Sequence, residues 1–194
     1  MCEIKPVAGK HRVSIPTSIP NFITLGRILL VPIIIWAIAS DQMELAFAVF
    51  VVAGVSDAVD GFLAKRFNMT SELGALLDPL ADKALLVSIY IALGIWGAIP
   101  RWLVILVVSR DLMIVAAVMV SWLFDRPVAM KPSMVSKLNT VAQIVYATVV
   151  LAALSFRWDI PLVLNSLVAL VAALTLLSIA FYVGEWVRHM NATE

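Results

Sequence analysis

Residues 56–83 read SDAVDGFLAKRFNMTSELGALLDPLADK. They include Asp57, Asp60, Asp78 and Asp82, although 62% of the residues of the chain are apolar. Residues three or four apart share one face of a helix, so helices here pair Asp57 with Asp60 and Asp78 with Asp82. An ionised side chain at the centre of a bilayer costs about 3 kcal/mol on insertion scales. Four carboxylates in so apolar a chain therefore need counter-charges.

The remainder of the sequence has the composition of a membrane protein. The chain has 194 residues, of which 14% are charged, and its mean hydropathy is +1.01. These values lie outside the range of ordinary soluble domains. The formal net charge of +1 gives no indication of a nucleic-acid partner, and the single cysteine, Cys2, excludes an intrachain disulfide.

Six segments are long and apolar enough to span a bilayer, which needs about 20 residues. They are residues 19–40, 43–65, 72–97, 100–124, 134–156 and 160–187. The sequence thus predicts an all-α, polytopic membrane protein with six transmembrane helices. We expect a short N-terminal surface segment at 1–18, one six-helix domain at 19–187 and a tail at 188–194.

The distribution of basic residues predicts the orientation, because cytoplasmic connections are enriched in Lys and Arg. One side of the predicted bundle carries nine: Lys5, Lys10, Arg12, Lys65, Arg66, Arg126, Lys131, Lys137 and Arg188. The other side carries Arg101 and Arg157. Both termini and the aspartates are therefore predicted to be cytoplasmic. The N-terminal residues lack a signal-peptide pattern, which favours a bacterial inner (cytoplasmic) membrane.

The aspartates are spaced as ligands for divalent cations. Lys83 alone cannot neutralise four carboxylates, whereas hard oxygen ligands suit Mg²⁺, Mn²⁺ or Ca²⁺. The small residues Gly61, Ala64 and Gly74 stand beside them. Small residues also allow close helix packing in membranes, but next to four aspartates they favour the approach of a bulky, phosphate-bearing ligand.

The segment resembles the signature of the CDP-alcohol phosphatidyltransferase family, D-x2-D-G-x2-A-R-x8-G-x3-D-x3-D. The matching residues are Asp57, Asp60, Gly61, Ala64, Gly74, Asp78 and Asp82, with every spacing kept. Lys65 stands where the family usually has arginine; it keeps the charge but not bidentate phosphate contact.

The resemblance implies an enzyme that holds a CDP-linked donor and two divalent metal ions, Mg²⁺ or Mn²⁺, between its helices. It would transfer the donor's phosphoalcohol group to a hydroxyl and release CMP. By position, Asp57, Asp60, Asp78 and Asp82 would bind metal, and Asp82 would also be the catalytic base. Members of the family are generally homodimers.

The first predicted span extends the resemblance. SIPNFITLGRILLVP, residues 18–32, is similar to the first span of the phosphatidylglycerophosphate and cardiolipin synthases of the family. The resemblance implies that Asn21, Thr24 and Arg27 face the donor nucleotide or a phosphate. The donor site would thus comprise these polar residues with Gly61, Ala64, Lys65 and Gly74. Asn21 could equally be a helix cap.

Two later segments bear on the acceptor: SRDLMIVAAV at 109–118 and MKPSMVSKLNTVAQ at 130–143. They look more like the cardiolipin synthases of the family, which implies transfer from CDP-diacylglycerol to phosphatidylglycerol, with glycerol 3-phosphate as the alternative acceptor. Arg110, Lys131 and Lys137 would bind the acceptor phosphate. Arg110 could instead form a structural ion pair with one of the four aspartates or with Asp111, and Lys131 could be an ordinary cytoplasmic loop cation.

Two other classes of protein remain open. A divalent-metal transporter also carries carboxylates inside the membrane, but such proteins usually have repeated halves, and this sequence has one acidic cluster. A non-catalytic scaffold with the same fold would have no reason to keep four aspartates. The late spans, rich in Leu, Val and Ala, are interpreted as packing and lipid-facing surface.

Overall fold

The structure is a computed structural model. It describes the backbone of residues 18–67, 72–123 and 134–191, and the side chains of residue 26 and of residues 29–56, 83–114, 116 and 134–184. These residues form six helices and no strand: α1 (Ser18–Ala39), α2 (Met43–Phe67), α3 (Glu72–Trp96), α4 (Arg101–Leu123), α5 (Met134–Phe156) and α6 (Pro161–Asn191). The predicted all-α class is confirmed, and the predicted segments match the helices to within four residues at each end.

Three tight turns pair the helices at one end of the bundle. Asp41, Gly97 and Arg157 have positive φ values of 60°, 89° and 53°. The next backbone N–H after each bonds back to a carbonyl of the preceding helix, as in Gln42 N to Ala37 O at 2.8 Å. This arrangement satisfies carbonyls that the end of a helix leaves without partners. The turns make α1 and α2, α3 and α4, and α5 and α6 consecutive pairs that reverse direction over a few residues.

The helices pack so that α1, α2, α3 and α5 surround most of the apolar core. α1 contacts α2 and α3, α5 contacts α2 and α6, and α4 contacts α3 and α6. Small side chains, Ala37 on α1 with Ala46 and Ala53 on α2, are almost fully buried in this core. Small residues let helix backbones approach closely where lipid gives no hydrophobic driving force for helix association.

Polar side chains lie inside the bundle and large apolar side chains lie outside it. The buried polar residues are Arg110, Asp111, Ser136, Asn139, Gln143, Thr175 and Ser178. Every helix carries exposed large apolar residues, for example Ile95, at 78%, and Leu162, at 80%. A soluble domain rarely exposes apolar surface on all sides, whereas a bundle surrounded by lipid does.

By length and hydropathy, two helices among the described residues qualify as membrane spans: Met134–Phe156 and Pro161–Gly184. Shorter apolar stretches occupy Leu29–Ala39, Met43–Ser56 and Lys83–Trp96. The six-span topology therefore remains a prediction.

Close packing of α3 on α4 gives a test of the fold. A Cβ built on the buried Gly94 would lie 2.6 Å from Val104 Cγ2, and a valine in a helix has one strongly preferred rotamer. We expect Gly94→Ala to lower the free energy of unfolding by about 1 kcal/mol, because overpacking costs about 1–3 kcal/mol and the gain in helix propensity is about 1 kcal/mol. Thermal unfolding in detergent measures the change.

The control is Gly184→Ala, where an added Cβ would meet no heavy atom within 4 Å. We expect its unfolding midpoint to be equal to or above that of the wild type. Equal shifts in both variants would contradict the close α3–α4 contact.

Candidate active site

The four aspartates lie at the end of the bundle opposite the three tight turns. Asp57 and Asp60 are in the last part of α2, and Asp78 and Asp82 are in the first part of α3. At a rise of 1.5 Å per residue, each pair covers roughly one helical turn. Helical backbone at both pairs agrees with the spacing argument. The aspartate side chains lie outside the described residues, so their role as metal ligands remains a prediction.

The predicted donor residues are placed by backbone alone. Asn21, Thr24 and Arg27 are on α1, which packs against both aspartate-bearing helices. Gly61, Ala64 and Lys65 continue α2 past the aspartates, and Gly74 lies in the first turn of α3. Their side-chain contacts fall outside the part of the chain that the structure describes. The donor site therefore remains a prediction.

On α3 the described side chains begin at Lys83, which follows Asp82 directly. Lys83 Nζ lies 3.5 Å from Asp111 Oδ1 on α4. Asp111 is buried, with a side chain 8% exposed, whereas the Lys83 side chain is 37% exposed. The ammonium next to the aspartate cluster is therefore held in part by a carboxylate on another helix.

Arg110 is enclosed by polar partners from three helices. Its Nη1 donates to Asp111 Oδ1 at 2.6 Å, and its Nη2 donates to Ser136 Oγ on α5. Ser178 Oγ on α6 accepts from Nε at 3.1 Å and from Nη2 at 2.9 Å. The guanidinium carbon also lies 5.9 Å from the centre of the Tyr182 ring. Arg110 is 1% exposed, so this charge is paired and almost fully hydrogen-bonded inside the bundle.

These contacts bear on the predicted acceptor residues. The Arg110–Asp111 ion pair, which the sequence left open, is present. Four of the five N–H groups of Arg110 are already bonded, so a phosphate could bind only to the fifth or in place of one of these partners. Lys137 lies in the first turn of α5 and is exposed, where a ligand can reach it. Lys131 lies outside the described residues.

A cavity of about 130 Å³ lies among α2, α3, α4 and α5. Its polar lining is Lys83, Asp111, Thr140 and Gln143, and its apolar lining is Phe50, Ala53, Gly54, Leu85, Leu86 and Ile144. Gly54 is one turn before Asp57 on α2, and Lys83 is next to Asp82. The cavity therefore lies about one helical turn further into the bundle than the aspartates.

Sequence reasoning missed the partners that α6 supplies. Ser178 was included in the packing surface of the late spans, yet it accepts two hydrogen bonds from Arg110. The pattern carried a signal, since Thr175, Ser178 and Tyr182 are spaced three and four apart and mark one polar face of an apolar helix. Gln143 and Asp111 were also not recognised as the lining of a cavity.

The chemistry of the donor set fits divalent metal ions, although the described side chains do not test it. Among those side chains, no group of three His, Cys, Asp or Glu could hold a metal ion. The four aspartates stand outside that set. Two acidic pairs, each within one helical turn at the same end of the bundle, supply the hard carboxylate oxygens that Mg²⁺ and Mn²⁺ prefer.

Comparison with known proteins gives three informative relatives. A "Cardiolipin synthase (CMP-forming)" of Rattus norvegicus is 35% identical over 159 residues, covering 74% of this chain and 53% of the relative. The Homo sapiens protein of the same name gives the same identity and coverage. A "Probable phosphatidylglycerophosphate synthase" of Mycobacterium tuberculosis is 34% identical over 116 residues, covering 57% of this chain and 54% of the relative. The chain spans about half the length of these curated relatives.

A family model described as CDP-alcohol phosphatidyltransferase matches residues 17–184. This range includes the aspartate-bearing ends of α2 and α3, the Arg110 network and the cavity. The match confirms the family that the signature indicated. The chain belongs to the CDP-alcohol phosphatidyltransferase family.

Proposed function

We propose that this protein transfers the phosphatidyl group of CDP-diacylglycerol to a hydroxyl of phosphatidylglycerol, giving cardiolipin and CMP. The observation that carries the proposal is the complete set of signature aspartates, two on α2 and two on α3 at one end of the bundle, in a chain of this family. The relatives named cardiolipin synthase cover more of the chain than the relative named phosphatidylglycerophosphate synthase. Their names support phosphatidylglycerol as the acceptor.

In this mechanism the acceptor hydroxyl attacks the phosphorus that bears the diacylglycerol. A new P–O bond forms to the acceptor, the P–O bond to the bridging oxygen breaks, and its electron pair leaves with CMP. Asp82 takes the proton of the attacking hydroxyl, as a positioned carboxylate can. Asp57, Asp60, Asp78 and Asp82 would hold two divalent metal ions, which stabilise the attacking and leaving oxygens of such a displacement when bound.

The remaining residues bind and orient the two substrates. Gly61, Ala64 and Gly74 leave room for the donor beside the helix backbones, and Lys65 with Arg27 offsets its phosphate charge. Asn21 supplies a hydrogen-bonding group on α1. Lys137 and Lys131 bind the acceptor phosphate, and Arg110 joins them by exchanging a serine partner.

A bilayer location follows from the same features. At 1.5 Å per residue, each of the six helices, which have 22 or more residues, reaches about 33 Å and so can cross a hydrocarbon core of about 30 Å. Trp36, Trp96, Trp102 and Trp158 are exposed and lie at the end with the tight turns, as an interfacial aromatic belt would. We place the aspartate end at the cytoplasmic face and the protein in a bacterial inner membrane, as a homodimer.

The test is an acceptor assay. The purified protein receives CDP-diacylglycerol and Mg²⁺ or Mn²⁺ in lipid nanodiscs, with either phosphatidylglycerol or glycerol 3-phosphate, and both CMP and lipid product are measured. We expect cardiolipin with equimolar CMP, and no turnover in excess chelator until Mg²⁺ or Mn²⁺ is restored. Phosphatidylglycerophosphate in place of cardiolipin would move the assignment to the alternative acceptor. Metal uptake into vesicles without release of CMP would contradict both and favour a transporter.

Asp82→Asn tests the proposed base. Loss of the base and of one metal ligand predicts a fall in kcat of roughly a hundredfold or more, with thermal unfolding close to that of the wild type. Asp159→Asn is the matched control, because Asp159 is exposed in the α5–α6 connection, at the far end of the bundle. Wild-type turnover in the Asp82 variant would rule out its proposed role.

Lys137→Gln tests the acceptor phosphate contact. A hydrogen bond to a charged group contributes about 1.5–3 kcal/mol, so the KM for phosphatidylglycerol is expected to rise roughly tenfold or more while that for CDP-diacylglycerol stays unchanged. Arg101→Gln removes an exposed cation at the opposite end of the bundle and should change neither KM. A rise in the donor KM alone would place Lys137 with the donor instead.

A further inference from the structure

The cavity among α2, α3, α4 and α5 contains a polar group that the protein leaves without a partner. Gln143 lines it and is 1% exposed. Its Nε2 is one of two buried side-chain nitrogen atoms without a hydrogen-bond partner among the described residues. The other, Asn139 Nδ2, belongs to a residue outside the cavity lining. An unpaired buried donor costs about 1–3 kcal/mol of free energy. A ligand that accepts a hydrogen bond from Gln143 Nε2 would remove that cost.

Gln143 is held in place by its backbone as well as by its helix. Tyr90 Oη on α3 donates to the Gln143 carbonyl oxygen at 3.1 Å. Tyr90 is 1% exposed, so this bond fixes α5 against α3 beside the cavity. Gln143 therefore lines the cavity from a helix that this bond holds against α3.

The charges around the cavity restrict what it can bind. Asp111 lines it and is already bonded to Arg110 and paired with Lys83. Because these two cations compensate the charge of the Asp111 carboxylate, the cavity does not require an ionic ligand. An ester carbonyl could accept from Gln143 but could donate nothing to Asp111. A hydroxyl does both, because its oxygen accepts and its hydrogen is donated.

Size and position agree with a small polyol. The cavity volume of about 130 Å³ is close to that of an engineered cavity of about 150 Å³ that binds benzene, so a three-carbon glycerol unit fits it. The cavity adjoins Lys83, the residue after the proposed base Asp82. A glycerol held here keeps a second hydroxyl within reach of the aspartate end.

We propose that this cavity binds the non-reacting hydroxyl of the acceptor's glycerol unit, with Gln143 donating to it and Asp111 accepting from it. The inference rests on the proposed function and names the part of the acceptor that the cavity recognises. Gln143 is then a specificity-determining residue for a vicinal diol. Glycerol 3-phosphate carries the same diol, so the inference holds for either acceptor.

The experiment compares phosphatidylglycerol with an analogue whose headgroup is 1,3-propanediol, which lacks only the secondary hydroxyl. In the wild type we expect kcat/KM to be about tenfold or more lower for the analogue, the loss expected when a buried hydrogen-bonding group is left unpaired. Gln143→Leu should lower kcat/KM for phosphatidylglycerol by a similar factor, change little for the analogue, and leave the KM for CDP-diacylglycerol unchanged.

The control is Thr175→Val. Thr175 is a buried hydroxyl on α6 that donates to Asn139 Oδ1 at 2.9 Å and lies outside the cavity lining. Its removal should lower stability without changing the preference for the diol. If Gln143→Leu does not fold, the wild-type comparison of the two lipids still tests the inference.

The outcomes separate the inference from the function on which it rests. No product from phosphatidylglycerol or glycerol 3-phosphate in the wild type would overturn the proposed function. Turnover with equal kcat/KM for the lipid and its deoxy analogue would overturn the inference alone. If Gln143→Leu raised only the KM for CDP-diacylglycerol, the inference would also be overturned, and the cavity would be assigned to the donor.

Discussion

The buried pair of Arg110 and Asp111 is the interaction on which the interior of the bundle depends. An arginine surrounded by apolar helices requires a counter-ion and acceptors for its remaining N–H groups. Asp111 supplies the charge, while Ser136 and Ser178 supply oxygens from α5 and α6. Loss of any one of these partners would leave a buried donor or charge unpaired. The position of α4 relative to α5 and α6 is therefore fixed by hydrogen-bond geometry as well as by packing.

The same pair connects the structural interior to the proposed chemistry. Asp111 carries a second cation, Lys83, at 3.5 Å, and Lys83 adjoins Asp82 in the chain. A lysine free to fold back on the aspartates would compete with metal ions for their carboxylates. Asp111 instead gives the ammonium a partner on α4. One buried carboxylate thus balances a structural arginine and restrains a cation next to the proposed metal ligands.

Much of the fold followed from the sequence because its two strongest signals are local. Apolar segments of spanning length predicted the six helices, and the spacing of the aspartates predicted which residues share a face. The family followed from fixed spacings within residues 57–82. Contacts between distant segments could not be predicted in this way. The polar face of α6 indicates that Ser178 has a polar partner, but it does not identify that partner as Arg110, 68 positions earlier. The distance between Asp111 and Lys83 likewise depends on how α3 packs against α4.

The unpaired amide of Gln143 fits the proposed role of the protein as an enzyme surrounded by lipid. A bundle whose outer surface is apolar cannot discriminate between polar ligands at that surface. The polar contacts that select a ligand must therefore be made between helices. The polar groups that make such contacts cost free energy when no ligand is bound, because no water in the hydrocarbon region can hydrogen-bond to them. The protein limits this cost by pairing its charges internally, as Arg110, Asp111 and Lys83 do, and by leaving a neutral group to meet the ligand. In the proposed site, an uncharged donor beside a paired carboxylate would recognise a hydroxyl without a net buried charge. This division of roles explains why the phosphate-binding lysine proposed here, Lys137, is exposed at the helix end while the amide lies deep between the helices.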